Sequence, residues 1–275
     1  YHIYSERRIF LANKNVTLSK TGRRLVVRET ITSYLFLLPF LAFFVLFVVY
    51  PMFMCVYTSF FNFTMNEPME FIGFDNYVEL FQDKEFISAL KNTLVIVLVS
   101  VPVTCVFSLW VASAISKMPV AATSAFRCIF YLPVVTGSVA VTMVWKWMYN
   151  NYYGIFNYLG TQTGLLDKNI NWLGDPKYAL GCIILILLTT SVGQPIVLYV
   201  SALDNVDKSL VEAAEVDGAT QMQAFWKIKW PQMMPTTLYI LVITTINSFQ
   251  CFALIQLLTL GGPNNSTMTI MYYIY

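Results

Sequence analysis

The sequence predicts an all-α integral membrane protein, and three observations lead there. Only 12% of its 275 residues are charged and 57% are apolar, where a soluble domain carries about a quarter charged. The charges are also unevenly spread, with no Asp, Glu, Lys or Arg from Trp230 to Tyr275. Five stretches are long and apolar enough to cross a bilayer, which takes about 20 residues of helix.

The first stretch, residues 33–61, reads "SYLFLLPFLAFFVLFVVYPMFMCVYTSFF". It is too long, and too far behind a basic arm, to be a cleaved signal peptide. The second is "NTLVIVLVSVPVTCVFSLWVASAI" (92–115) and the third "CIFYLPVVTGSVAVTMVW" (128–145). The fourth is "YALGCIILILLTTSVGQPIVLYVSAL" (178–203), and the fifth, after Pro235, is "TTLYILVITTINSFQCFALIQLL" (236–258). The closing "STMTIMYYIY" reads as the opening of a sixth. Cys55, Cys105, Cys128, Cys182 and Cys251 fall one in each stretch, without metal-ligand spacing, and read as small packing residues. The single histidine, His2, lies in the N-terminal arm and leaves none for a metal or proton-relay site.

Orientation follows the Lys/Arg bias of the loops. The N-terminal arm holds Arg7, Arg8, Lys14, Lys20, Arg23, Arg24 and Arg28. With that arm in the cytoplasm, Lys117, Arg127, Lys208, Lys227 and Lys229 also lie inside, twelve of the seventeen basic residues in all. Lys84, Lys91, Lys146, Lys168 and Lys177 fall outside or near the outer ends. Residues 1–30 thus read as a cytoplasmic basic arm, suited to anionic lipid headgroups rather than nucleic acid, and 31–275 as the membrane domain. On the outer side, 71–81 has Phe74, Tyr77, Val78 and Phe81 at helical spacing, with Asp75 able to cap. "NWLGDP" and "TLGGPNN" carry turn punctuation. Trp145, Trp147 and Tyr149 suit the aromatic belt of the outer interface.

The most polar segment of the second half, about 204–233, then faces the cytoplasm. Its residues Asp204 to Lys229 hold five carboxylates and three lysines. Ser209 with Glu212, and Thr220 with Gln223, fit two capping boxes, each opening a short helix. Gly218 between them suits the left-handed helix end that glycine accepts. Pro231 and Pro235 break the pattern before the fifth stretch. An acidic helix would be repelled by an anionic leaflet, so the pair suits docking to another protein rather than to lipid.

"EAAEVDGATQMQAFWKIKWPQMMPT" resembles the EAA loop of ATP-binding-cassette importer permeases, written EAAxxDGA with a proline further on. "YLFLLPFLAFFVLFVVYP", "FIGFDNYVELF", "FYLPVVTGSVAVTMVWKWMYN", "NWLGDP", "SFQCFALIQLLTLGGPNNST" and "MYYIY" are similar to its sugar-permease branch, which includes the maltose and multiple-sugar systems. The resemblance runs over 31–275. It implies a type I importer permease bundle of five complete transmembrane helices and the start of a sixth, in a bacterial inner membrane. It also implies a second permease chain, different from this one, two cytoplasmic ATPase subunits whose clefts hold the EAA loops, and an external solute-binding protein. This chain has no G-x-x-x-x-G-K-[ST], so ATP and Mg belong with the partner subunits and it binds no cofactor itself. Within the motif formed by Glu212, Ala213, Ala214, Asp217, Gly218 and Ala219, Glu212 would be the docking carboxylate and Gly218 the turn. Phe225, Trp226 and Ile228 would supply apolar contact ahead of Pro231.

The five stretches contain no Asp or Glu. Proton-coupled carriers generally keep an ionisable group there, which disfavours a secondary carrier and suits an uncharged solute. Neutral polar groups cluster instead: Thr136 and Ser138, then Thr189, Thr190, Ser191 and Gln194, then Thr244, Thr245, Asn247, Ser248 and Gln250. For any one hydroxyl, a bond to its own helix is the simpler role. Aligned with maltose-type permeases, the sugar path falls on Val134, Ser138, Thr189, Val192, Gly193, Ile196, Thr244 and Ser248. Val134 and Ile196 stand where that pattern has aromatic rings. A non-sugar solute such as a glycerol-phosphate compound is the alternative cargo, but only Lys146 and Arg127 lie near the path. A membrane-embedded enzyme ranks last, for want of a His, Cys or carboxylate cluster.

Overall fold

The computed structural model describes residues 20–62 and 69–275, with side chains from residue 28 on except Lys208. His2, Arg7, Arg8 and Lys14 of the basic arm lie outside the described residues. The chain divides into two compact units, one up to Glu79 and one from Leu80 on.

In the first unit, α1 (Lys20–Phe44) runs through a π turn, Val45–Val49, into α2 (Tyr50–Thr58). Every described side chain from Arg28 to Val48 is exposed, and from Tyr34 on all are apolar, as lipid or a neighbouring helix requires. The π turn ends where Tyr50 donates its N–H to Val45 O, immediately before Pro51. Proline has no N–H and its ring clashes with the carbonyl four residues back, so the wider turn seats it in a continuous helix. A two-residue hairpin follows, pairing β1 (Phe61–Asn62) with β2 (Glu70–Phe71). The expected interfacial helix is α3 (Asp75–Gln82). Asp75 is its first residue rather than the residue before it. Asn76 Nδ2 donates to Ser59 O and Phe61 O (2.8 and 3.0 Å), and Tyr77 Oη lies 2.7 Å from Ser59 Oγ.

The second unit is organised on α4 (Lys84–Ile115), capped by the Asp83 carboxylate, which accepts from Glu85 N. At 1.5 Å per residue its 32 residues span about 48 Å. Thr93, Ser100, Thr104, Ser108 and Ala112 form a fully buried row of small residues along it. Such a row lets neighbouring helices approach closely. The third stretch is not one straight helix: α5 (Val120–Val135) and α6 (Ser138–Met148) meet at 95° across Thr136–Gly137. After α7 (Ile155–Gln162), the fourth stretch also bends, by 42°, between α8 (Pro176–Ser191) and α9 (Gly193–Asp204). Then come α10 (Lys208–Val216), α11 (Gln221–Ala224), a second π turn (Phe225–Lys229) and α12 (Trp230–Phe249). Pro231 and Pro235 do not interrupt the chain here. Pro231 follows the π turn as Pro51 follows the first, and Pro235 sits inside α12. The fifth stretch stops at Phe249 and resumes as α13 (Ala253–Leu258); α14 (Ile270–Ile274) closes the described chain.

Two cores hold this unit. One joins α4, α9 and α12 through Ala112, Ile196, Tyr199, Met233 and Ile240. The other joins α8 and α13 through Ile183, Ile186 and Ile255, with Tyr149 and Cys251. Tyr149 is therefore no belt residue: it is 5% exposed and packs on Trp145, Phe156 and Trp172. Cys105, Cys182 and Cys251 are buried as packing residues, whereas Cys55 and Cys128 are exposed. Among the described residues, three helices are long and apolar enough to cross a membrane, and up to five spans result if each bent pair is one.

Candidate functional site

Three helix ends or interruptions meet at one cavity of about 350 Å³. They are the bend at Thr136–Gly137, the C-terminal end of α8, and the unwound Gln250–Phe252. A broken helix leaves backbone N–H and C=O groups free, and inside a membrane such backbone persists only where it lines a cavity or is covered by protein. The polar lining is neutral: Thr136, Ser138, Thr190, Asn247 and Gln250, beside an apolar wall that includes Val134, Leu187 and Phe252. No charged residue lines it.

The hydroxyls differ in what remains free. Thr136 donates to Leu132 O (2.8 Å) and Thr190 to Leu187 O (3.0 Å), so both are spent on their own helices. The Asn247 and Gln250 amides and the Ser138 hydroxyl make no hydrogen bond to the described residues. Asn247 and Gln250 lie three residues apart at the end of α12, hence on one face. Ile240, Thr244 and Ser248, all buried, mark another face. Ser248 Oγ lies 2.9 Å from Ser100 Oγ on α4.

Of the eight positions expected along the path, Val134 and Ser138 line this cavity, and the other six do not. Thr189 turns its hydroxyl to Ile186 O at 2.7 Å. Val192 and Gly193 are buried at the α8–α9 bend, and Ile196 is wholly buried in the first core. A Cβ on Gly193 would stand 2.3 Å from Phe130 O, so its missing side chain is what lets α9 lie on the α5 backbone. Thr244 and Ser248 are 5% and 2% exposed. Sequence reading passed over Asn247 and Gln250 within the polar cluster. Their shared face, opposite Ser248, was the signal available.

At the polar segment, α10 is capped by Asp207, whose carboxylate accepts from Ser209 N (2.9 Å) and Ser209 Oγ (2.7 Å). The expected Ser209–Glu212 box does not form, because Ser209 serves Asp207 two residues after the true helix start. These hydrogen bonds, the Ser209 hydroxyl first, hold the Asp207 carboxyl below its ordinary pKa. Gly218 has φ +81°. Around it Gly218 N donates to Glu215 O and Ala219 N to Ala214 O, the paired bonds of a Schellman end. The Thr220–Gln223 capping box forms as expected, and Gln221 Nε2 donates to Glu215 Oε1 (3.0 Å), tying the two helices together.

Glu212, Ala213, Asp217 and Gly218 are exposed, while Ala214, Ala219, Phe225 and Ile228 are half-buried. Trp226, 54% exposed, packs beside Phe225 and Trp230, and Pro231 is exposed. The result is a short acidic helix and an aromatic shoulder presented together. Arg127, on α5, pairs with Asp204 at the end of α9 at 2.9 Å.

A family described as "Binding-protein-dependent transport system inner membrane component" matches residues 9–275. The lactose transport system permease protein LacF of Rhizobium radiobacter is 30% identical over 89% of this chain and 82% of its own length. The multiple sugar-binding transport system permease protein MsmF of Streptococcus mutans is 30% identical over 91% and 87%. A crystal structure of a bacterial ABC transporter importing the acidic polysaccharide alginate superposes with a TM-score of 0.76 at 28% identity, over 90% of this chain and 84% of that one. The alginate transporter in complex with a pentasaccharide-bound periplasmic protein superposes equally well.

Proposed function

The chain belongs to the binding-protein-dependent transport system inner membrane components, and from that premise we propose that it carries a neutral saccharide into the cytoplasm by alternating access. It is a permease subunit, and the proposed energy source is ATP, with Mg, hydrolysed in two separate cytoplasmic ATPase subunits. A second permease chain would complete the path, and an external solute-binding protein would deliver the sugar. The alginate transporter seen with a periplasmic protein supports the last of these. The arrangement we propose is residues 1–30 as a cytoplasmic arm and 31–275 as a bundle of five spans, with α14 opening a sixth. The segment 204–233 would be the cytoplasmic loop that the ATPases move, engaged through Glu212, Gly218 and the Phe225–Trp226–Ile228 shoulder.

The observation that carries the cargo assignment is the neutral polar cavity at three broken helices. Hydroxyl-rich solutes need both donors and acceptors, which amides and free helix ends supply. A phosphorylated or acidic solute would need a cation to offset its desolvation. Arg127 is engaged by Asp204, and neither it nor Lys146 lines the cavity.

The test is ATP hydrolysis by the complex, copurified from its host and placed in liposomes with its binding protein, against a panel of glycans. Stimulation by a neutral saccharide is the expected result. Stimulation by charged or phosphorylated solutes alone would overturn the cargo assignment, and absence of any copurifying ATPase would overturn the coupling loop.

A further inference from the structure

We infer that Asn247 and Gln250 are the specificity-determining residues of this chain, reading the hydroxyl pattern of the saccharide from the broken end of α12. The inference rests on the saccharide reading above and assigns it to particular side chains.

The polar groups at this depth divide by what they already bond. Ser248 is committed to Ser100, and Thr136, Thr190 and Thr245 to carbonyls of their own helices. A committed hydroxyl contributes little to selection, because turning it toward a ligand breaks a bond it already has. Asn247 and Gln250 are exposed, line the cavity, and have no bond to give up. Each carboxamide offers two donors and an acceptor, so the pair can pin adjacent hydroxyls that both give and receive.

Their geometry sharpens the point. They share a face by their spacing, and Gln250 caps the carboxyl end of α12 at φ −84°, ψ 15°. Ser138 faces the same cavity at the first turn of α6. Donors from one broken helix therefore confront amides from another across a volume at the lower end of small-molecule pockets, which run from about 300 to 1,000 Å³. An uncommitted side-chain amide left in hydrocarbon would be costly. Within the cavity, a hydroxylated ligand would supply the missing bonds.

The experiment uses the intact complex with its ATPases and binding protein in liposomes. It compares Asn247→Leu, Gln250→Met and the conservative Asn247→Gln with the unmodified complex. The probes are neutral di- and trisaccharides that the binding protein binds, lactose among those tried, each at saturating loaded binding protein. For Leu and Met, uptake of at least one probe should fall by roughly tenfold, as loss of one well-placed hydrogen bond implies. The order of preference among probes should change, and Asn247→Gln should reorder them with a smaller loss. Uptake unchanged for every probe, or lowered by one common factor, would overturn the inference while leaving the saccharide reading intact. If no neutral saccharide is taken up by the unmodified complex, that reading fails and the inference falls with it.

Discussion

Gly193 and Gly218 are glycines for opposite reasons, and their substitutions should separate accordingly. Around Gly193 the space is filled: a Cβ would press on Phe130 O. Gly193→Ala should force α9 off α5 and cost about 1–3 kcal/mol, seen as a lowered thermal midpoint of the purified complex. Around Gly218 nothing lies within 4 Å, but φ is +81°. Gly218→Ala should cost only about 1 kcal/mol locally, without loss of assembly. Under the proposed docking role, its effect falls on coupling. Together with Glu212→Ala, it should leave the complex folded yet raise the ATP hydrolysed per saccharide taken up. Normal uptake and stoichiometry in both variants would remove the docking role.

At the scale of elements, short helices depend on their caps, because so few residues propagate them. Thr220→Ala removes the bond to Gln223 N (3.3 Å) and should destabilise α11 by about 1 kcal/mol, visible as faster amide hydrogen exchange at 221–224. Asp207 adds a pH dependence. Its folded pKa is depressed, so its contribution is complete above the ordinary carboxylate range and is lost as pH falls through the folded value. Protection factors along 208–216, taken relative to the intrinsic exchange rate at each pH, should fall on acidification below about pH 4, and Ser209→Ala should move that onset upward. The segment between α6 and α8 depends on one residue. Asn157, 1% exposed, accepts from Ile170 N and Trp172 Nε1 and donates to Asn151 O and Ile170 O. Asn157→Leu would leave these groups unpaired, at about 1–3 kcal/mol for each buried one. Limited proteolysis should then cut between 150 and 175.

For the whole molecule, the proposed orientation puts the segment between α6 and α8 outside and the 204–233 segment inside. A cysteine at Asn169 should react with an impermeant maleimide in intact cells, and one at Val216 only after the membrane is opened. The reverse pattern would invert the arrangement. The buried small-residue row on α4 also has a consequence at this scale. Thr93 accepts from Ile270 N, and Asn92 donates to Asn265 O and Met268 O, so the last described segment is anchored to the beginning of α4.

What the sequence determined by itself was whatever depends on neighbours along the chain. Hydrophobic length reveals where the spans lie, and the Thr220–Gln223 box and the Gly218 turn follow from residues within one helical turn of each other. The resemblance of the EAA segment needed only its own letters. What the tertiary structure decided was which polar groups are free. Ser248 and Asn247 are adjacent neutral polar residues, yet one meets Ser100 and the other meets the cavity. Spacing puts them on different faces of α12, but which face meets α4 and which meets the cavity is decided by how the helices pack. The breaks at Thr136–Gly137 and Gln250–Phe252 divide the same way: glycine, proline and neutral polar letters within long membrane stretches mark where a helix can bend, while the 95° angle at the first and the cavity they share belong to the tertiary structure. A membrane rewards apolarity whatever the path of the helix, so hydropathy is blind to the bend that builds the site.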